Sequence, residues 1–102
     1  MKIVKVTYTT SADYAEQNKT NIQSVMADLR QAGSSGINYN VCIGADGKTF
    51  THTAFFQSDS DQKTLFDLPA FQRFQEQLKA SKPETAPAQE LLSLAGSSVD
   101  IF

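Results

Sequence analysis

The sequence predicts an α+β fold in which an antiparallel sheet carries helices on one of its faces. Three observations lead to this prediction: β-rich runs alternate with helical stripes, a tight hairpin joins two of the runs, and each helical stripe is apolar on one side only. The chain has 102 residues, 40% of them hydrophobic, which is enough to bury an ordinary core. We therefore expect a single domain that spans residues 1–102.

The first strand is predicted from residue 2 to residue 10, a run of β-branched and aromatic residues. Thr10, followed three residues later by Asp13, resembles a capping box, so a helix is expected to begin at residue 11 or 12. Its buried stripe has steps of three and four and ends at Gly33, a residue that suits the turn after a helix. The stripe consists of Tyr14, Asn18, Ile22, Val25, Met26 and Leu29.

A hairpin is predicted between residues 37 and 56, because Asp46-Gly47 separates two β-rich runs and favours a type I′ turn. A two-residue turn also fixes the register of the two strands. One face is then apolar apart from His52, and the other face is half polar. The predicted pairs are Ile37 with Phe56, Tyr39 with Ala54, Val41 with His52, Ile43 with Phe50 and Ala45 with Lys48.

A second helical region is predicted after the hairpin, capped near Ser58 and interrupted at Pro69. It continues with Phe66, Phe71 and Phe74 at core spacing. Residues 81–98 contain two prolines and are interpreted as a connector with a short helix at 88–94, before a final strand at 99–102.

The resulting order of elements, βαββαβ, predicts a ferredoxin-like antiparallel sheet with both helices on one face. The first strand has Ile3 on one side and Val4 and Val6 on the other, so neither face of the sheet is cleanly polar. We therefore expect two copies of the chain to pair through the uncovered sheet face.

Composition excludes several classes of function. One cysteine and one histidine cannot supply a zinc or iron–sulfur site by themselves, so no metal is expected. A net charge of -2 gives no basic surface for nucleic acid. No signal peptide or membrane span is evident, so neither a membrane partner nor export is expected, and the cytoplasm is the predicted location.

The run from Phe55 to Phe74, in which a strand leads into a helix and then into Pro-x-Phe-x-x-Phe, resembles the dimeric α+β barrel superfamily that includes antibiotic biosynthesis monooxygenase-like proteins. The resemblance covers the order of elements over about residues 1 to 80. It implies a dimeric barrel. Oxygenases and haem-degrading members typically use a tryptophan with an Asn or His, whereas this chain has no Trp and has Ala70 where many members have His. The chemistry is therefore not carried over, and no cofactor is expected.

His52 is the candidate catalytic residue, because its unperturbed pKa lies near neutrality and it falls on an apolar face. Two interpretations stay open: it is a structural histidine bonded to Tyr8 or Tyr39, or it lines a pocket. Tyr8 and Tyr39 are candidate ligand-binding residues, with hydroxyls that could enter a sheet-helix cavity. Cys42 is interpreted as packing.

Asn38 and Asn40 lie on the half-polar face, where strand interiors disfavour asparagine, and they are interpreted as a polar layer at the dimer interface or as amides that bind a ligand. The sequence supports three hypotheses for the whole protein. The first is a homodimer that binds a small apolar or aromatic molecule near His52. The second is a cofactor-independent monooxygenase or isomerase with His52 as base. The third is an interaction module without a ligand.

Overall fold

Four antiparallel strands form one sheet in the computed structural model, which describes residues 1–102. The strands are β1 (Lys2–Thr9), β2 (Ile37–Ile43), β3 (Thr49–Phe56) and β4 (Thr85–Leu92), in the order β2-β3-β1-β4 across the sheet. Three helices complete the fold, α1 (Ala15–Ala32), α2 (Asp59–Asp67) and α3 (Pro69–Ala80). The ferredoxin-like α+β fold predicted from the sequence is confirmed.

The core lies between the sheet and the helices, on one face of the sheet. Tyr8, Phe50 and Phe56 point to this face and are each 1% exposed. They pack with Val25 of α1 and Leu65 of α2 in one continuous apolar cluster. Because complete burial of a large apolar side chain contributes about 1.5–3 kcal/mol, this face holds the helices on the sheet.

The predicted register of the β2–β3 hairpin is confirmed for the four pairs within the strands, from 37–56 to 43–50. The predicted type I′ turn is wrong. Gly47 has a φ of 73°, but Asp46 does not have the positive φ that a type I′ turn also requires. Gly44 N–H instead donates to Thr49 O at 2.8 Å and closes a longer loop. The Asp46 carboxylate favours this loop, because it accepts the backbone N–H groups of Lys48 and Thr49.

The helix α1 begins at Ala15, later than the predicted start, and the predicted capping box is wrong. Thr10 Oγ1 donates to the carbonyl of Ser11 at 2.9 Å, so it is turned away from the first N–H groups of the helix. The predicted end is confirmed. Gly33 has a φ of 67°, and its N–H donates to two carbonyls of the last turn.

The second helical region consists of two helices that meet at Pro69, as predicted. The Ser58 hydroxyl accepts the N–H of Asp61 at 3.3 Å and caps α2. Phe66 is not a core residue, contrary to its spacing, since it is 48% exposed. It lies flat against Phe71, with ring centroids 5.6 Å apart, so its exposed ring still covers an apolar neighbour.

The carboxyl-terminal prediction is wrong, because β4 occupies residues predicted as a connector and a short helix, and residues 99–102 form no strand. Pairing of β4 with β1 at the edge of the sheet overrides the local effect of Pro87. Thr9 pairs with Thr85, and Thr7 pairs with Ala88. Between these two pairs β4 therefore advances by three residues where β1 advances by two. The extra residue is a β-bulge beside Tyr8.

The other face of the sheet carries no helix. Ile3 on this face is only 4% exposed, and Phe55 beside it is partly buried. The carboxyl-terminal segment returns to the same face, where Asn38 Nδ2 donates to the carbonyl of Ile101 at 3.5 Å. None of the helices combines the length and apolar character needed to cross a bilayer.

Candidate functional site

The single histidine lies in the core face of the sheet between two tyrosines. His52 belongs to the central strand β3, and its neighbouring strands β1 and β2 provide Tyr8 and Tyr39 on opposite sides. The Tyr8 hydroxyl lies 2.7 Å from His52 Nε2, and the Tyr39 hydroxyl lies 2.6 Å from His52 Nδ1. His52 is 6% exposed, so these two hydroxyls are its hydrogen-bond partners.

A fourth polar residue extends the cluster from α1. Asn18 Nδ2 donates to the Tyr8 hydroxyl oxygen at 2.8 Å, and Asn18 is completely buried. Tyr8 is also buried, and His52 Nε2 is the acceptor within reach of its proton. With the Asn18 amide in this orientation, which leaves its buried Oδ1 without a partner, Tyr8 donates to Nε2, and the ring proton of a neutral imidazole lies on Nδ1.

The position of the ring proton on His52 determines whether the Tyr39 hydroxyl has a proton to donate to another group. Because His52 Nδ1–H donates to the Tyr39 oxygen, the phenolic proton of Tyr39 does not point to the histidine. The order of donation is thus Asn18 to Tyr8, Tyr8 to His52, and His52 to Tyr39. The free end of this chain of hydrogen bonds is the Tyr39 O–H group.

Burial keeps all three ring systems neutral. It lowers the pKa of His52 from 6.5 to about 4, because a charged imidazolium loses its hydration in the core. Burial also raises the pKa of Tyr8 and of Tyr39 far above the usual value for a phenol, although the Asn18 hydrogen bond partly offsets this for Tyr8. The cluster therefore acts through hydrogen bonds rather than through charge at neutral pH.

A cavity of about 430 Å³ lies beside the cluster, between the sheet and α3. We name it the His52 cavity, and His52, Tyr8 and Tyr39 all line it. It extends to the β4 bulge, since Ala86 and Pro87 also line it. Most of its wall is apolar, and its further lining residues include Val4, Val6, Ala54, Phe56, Leu65, Phe66, Phe71, Phe74 and Leu78.

Aromatic rings form the wall opposite the sheet. The Phe74 ring centroid lies 5.4 Å from that of His52, and the Phe71 centroid lies 6.4 Å from that of Tyr39 in an edge-to-face arrangement. Such contacts fix the orientation of the rings as well as burying them. The polar groups of the cavity are consequently held in place by packing.

This arrangement limits what His52 can do. Both ring nitrogens are already hydrogen-bonded, so His52 can accept a proton from a substrate only after a tyrosine moves away. The depressed pKa also makes the imidazole a weak base. The Tyr39 hydroxyl is the group that can donate to a ligand without any rearrangement.

The structure brings together the three predicted site residues but separates the other candidates from them. Asn40 Nδ2 donates to Asn38 Oδ1 at 2.8 Å, on the opposite face of the sheet. Cys42 is exposed, so its interpretation as a packed residue is wrong: β2 is an edge strand and nothing covers that side of it. No group of three or more His, Cys, Asp and Glu side chains has a geometry that could hold a metal ion.

Asn18 is the member of the cluster that the sequence analysis did not single out. The available signal was an asparagine within the apolar stripe of α1, four residues after Tyr14 and four before Ile22. A buried amide needs hydrogen-bond partners, so its position in the stripe was a signal for a polar contact with the sheet that the sequence analysis did not use. The sequence did not indicate which side chain would provide that contact.

No protein-family model matches the chain, and no curated protein is similar enough to match. Solved structures do match. One antibiotic biosynthesis monooxygenase superposes with a TM-score of 0.78 at 10% identity, covering 94% of this chain and 100% of its own. A candidate antibiotic biosynthesis monooxygenase of Deinococcus radiodurans has a TM-score of 0.74 at 21% identity, covering 100% and 99%.

A third solved structure is a single-residue mutant of SnoaB, a cofactor-independent oxygenase from Streptomyces nogalater. It has a TM-score of 0.67 at 12% identity and covers 97% of this chain and 96% of its own. Identities this low establish a shared fold and not a shared activity. The chain therefore has the ferredoxin-like α+β fold of the antibiotic biosynthesis monooxygenase-like proteins.

Proposed function

We propose that the chain binds a small, flat, mainly apolar molecule with a hydrogen-bond acceptor in the His52 cavity. The observation that supports this proposal best is the Tyr39 hydroxyl, which is hydrogen-bonded to His52 and belongs to a residue that lines an apolar cavity. A volume of about 430 Å³ is typical of small-molecule sites, in which a few polar groups orient an apolar ligand. A carbonyl of the ligand would accept a hydrogen bond from the Tyr39 hydroxyl, while the rings of the ligand pack against Phe71 and Phe74.

Anthrone is a suitable probe, because it combines flat apolar rings with one carbonyl. Its binding can be followed by titration calorimetry of wild type and Tyr39→Phe. We expect the variant to bind about tenfold more weakly, because one hydrogen bond is lost. Tyr14→Phe is the matched control, since Tyr14 lies outside the cavity. Equal affinities in wild type and Tyr39→Phe, or no saturable binding, would contradict the proposal.

A second candidate function is a cofactor-independent monooxygenase or isomerase, which the fold likeness to SnoaB favours. In this reaction, Tyr8 would swing away from Nε2, and the unprotonated Nε2 of His52 would remove a proton from an acidic carbon of the substrate. For an oxygenase, the resulting carbanion would then react with dioxygen from solution. The low pKa of His52 weighs against this function, which is why binding is proposed first.

The enzymatic candidate is tested by the rate of anthrone oxidation under oxygen. If the chain is an enzyme, we expect His52→Ala to lose most of the wild-type oxidation rate and Tyr14→Phe to retain it. If wild type and His52→Ala have the same rate after circular dichroism has shown that both are folded, the enzymatic candidate fails and the binding proposal stands on its own measurement.

The homodimer predicted from the sequence is also part of this proposal. Phe55 is only partly buried on the sheet face that no helix covers, and Leu92 of the edge strand β4 is 38% exposed on the same face. A second copy would cover these apolar side chains. Light scattering should give twice the 11.2 kDa mass of the chain, whereas the mass of a single chain would overturn the dimer.

A further inference from the structure

A second, larger cavity lies on the opposite side of Tyr39 from the His52 cavity. It is a groove of about 760 Å³ between α1 and β2, and it is lined by fifteen residues. We name it the α1–β2 groove. The aliphatic part of its surface is formed by Ile22, Met26, Leu29, Ile37, Val41 and Ile43.

The groove remains open because α1 does not fully cover the edge strand. Ile43 at the end of β2 is 40% exposed, and Met26 and Val41 are only partly buried. A contiguous apolar strip of this kind is unfavourable in water and gains free energy when an apolar group covers it. The groove therefore suits the tail of an elongated apolar ligand.

The charges of the groove all have one sign. Lys19 and Arg30 line it, and no aspartate or glutamate does, although the chain as a whole carries a net charge of -2. Lys19 already forms an ion pair with Glu16 at 3.1 Å. Arg30 takes part in none of the three ion pairs of the molecule. The guanidinium of Arg30 is therefore free to form paired hydrogen bonds with a carboxylate.

The two cations also define the length of the groove. Lys19 and Arg30 are eleven positions apart on α1, which corresponds to about 16 Å along the helix axis. Ser34 and Ile37 lie at the Arg30 end, and Phe50 and Ile43 lie towards the Lys19 end. An extended acyl chain with its carboxylate at Arg30 fits this distance.

We propose that the α1–β2 groove is a binding site for a medium-chain fatty acid, with the carboxylate on Arg30 and the acyl chain along β2. This site is separate from the His52 cavity, because the two cavities share only Tyr39 among their lining residues. It does not depend on the function proposed for His52.

The test is calorimetric titration with sodium dodecanoate below its micelle concentration. We expect one site per chain and an affinity at least about tenfold lower in Arg30→Gln, because a charge-assisted hydrogen bond is lost. Arg73→Gln is the matched control, since it removes the same charge from the other arginine, which lies outside the groove. Dodecyltrimethylammonium, which has the same tail and the opposite charge, should not bind.

Amide chemical shifts locate the bound dodecanoate. We expect shifts along α1 and β2 and none along α3. Shifts that cluster at Phe74 and Pro87 would place the ligand in the His52 cavity and overturn the proposal. So would equal affinities of Arg30→Gln and Arg73→Gln, or equal binding of the cationic probe, because either result would show nonspecific adsorption.

Discussion

The two cavities on either side of Tyr39 differ in how far their polar side chains are buried. In the His52 cavity, His52 and Tyr8 are buried and Tyr39 is partly buried, and desolvation keeps all three side chains neutral. In the α1–β2 groove, Arg30 is exposed at an open rim and takes part in none of the three ion pairs. One side chain, Tyr39, forms the wall between them.

The difference shows that depth below the surface decides which chemistry a polar residue provides. A buried titratable group loses its charge and becomes a directional donor or acceptor, which suits recognition of a neutral ligand. An exposed cation retains its charge and suits an anion.

The largest effect concerns the pH dependence of stability. The pKa of His52 is about 4 in the folded chain and near 6.5 in the unfolded chain, so the unfolded chain binds more protons between these values. Neutral His52 therefore makes its full contribution to the free energy of unfolding above pH 6.5, and this contribution is lost as the pH falls towards 4. The loss amounts to about 3 kcal/mol.

Urea unfolding at several pH values measures this effect, and His52→Leu is the reference that lacks it. Carboxylates titrate in the same range, so the quantity to compare is the difference between wild type and variant. Because the chain has one histidine, its ring-proton resonance gives the folded pKa directly. A measured pKa of 6 or above would show that the imidazole is hydrated and would remove the contrast between the cavities.

A smaller loss is expected for Tyr8→Phe. This change removes the acceptor for Asn18 and the donor to His52 Nε2, and it leaves both groups buried. We expect the free energy of unfolding to fall by about 2 kcal/mol. Tyr14→Phe serves as the control and should change it by less than about 0.5 kcal/mol, because the Tyr14 hydroxyl makes one contact of 3.4 Å. Equal losses in the two variants would show that the Tyr8 hydrogen bonds contribute little to stability and would contradict this prediction.

The smallest effect is expected in the groove. Arg30 lies in the last turn of α1, where its charge interacts favourably with the helix dipole, and it has no ion pair. Arg30→Gln should therefore lower the free energy of unfolding by no more than about 0.5 kcal/mol. A loss above about 1 kcal/mol in thermal or urea unfolding would show that Arg30 serves the fold rather than a ligand.

The hairpin register is the feature of the fold that the sequence predicts best. The β2–β3 register followed from a short turn between two β-rich runs, because side chains of paired strands alternate with a period of two. That register placed His52 on the apolar face and identified Tyr39 as a neighbour. The turn itself differed from the prediction, since the Asp46 carboxylate stabilises a longer loop without changing the pairs within the strands.

Elements that depend on distant partners were predicted less well. Pro87 argues locally against a strand, yet β4 forms because an exposed edge of β1 is available to it and a bulge accommodates the proline. Phe66 has the spacing of a core residue, but α2 presents Leu65 to the sheet instead. Neither outcome is contained in the local pattern of the sequence.

Local periodicity in the sequence is enough to predict the order of elements, the strand register and the position of one histidine on an apolar face. Three features become visible only in the folded chain: Asn18 contacts Tyr8, both nitrogens of His52 are hydrogen-bonded, and Arg30 borders an open groove. Those facts depend on how α1 packs against the sheet. Helix packing is set by the fit of side chains that are distant in the sequence, and no local pattern specifies it.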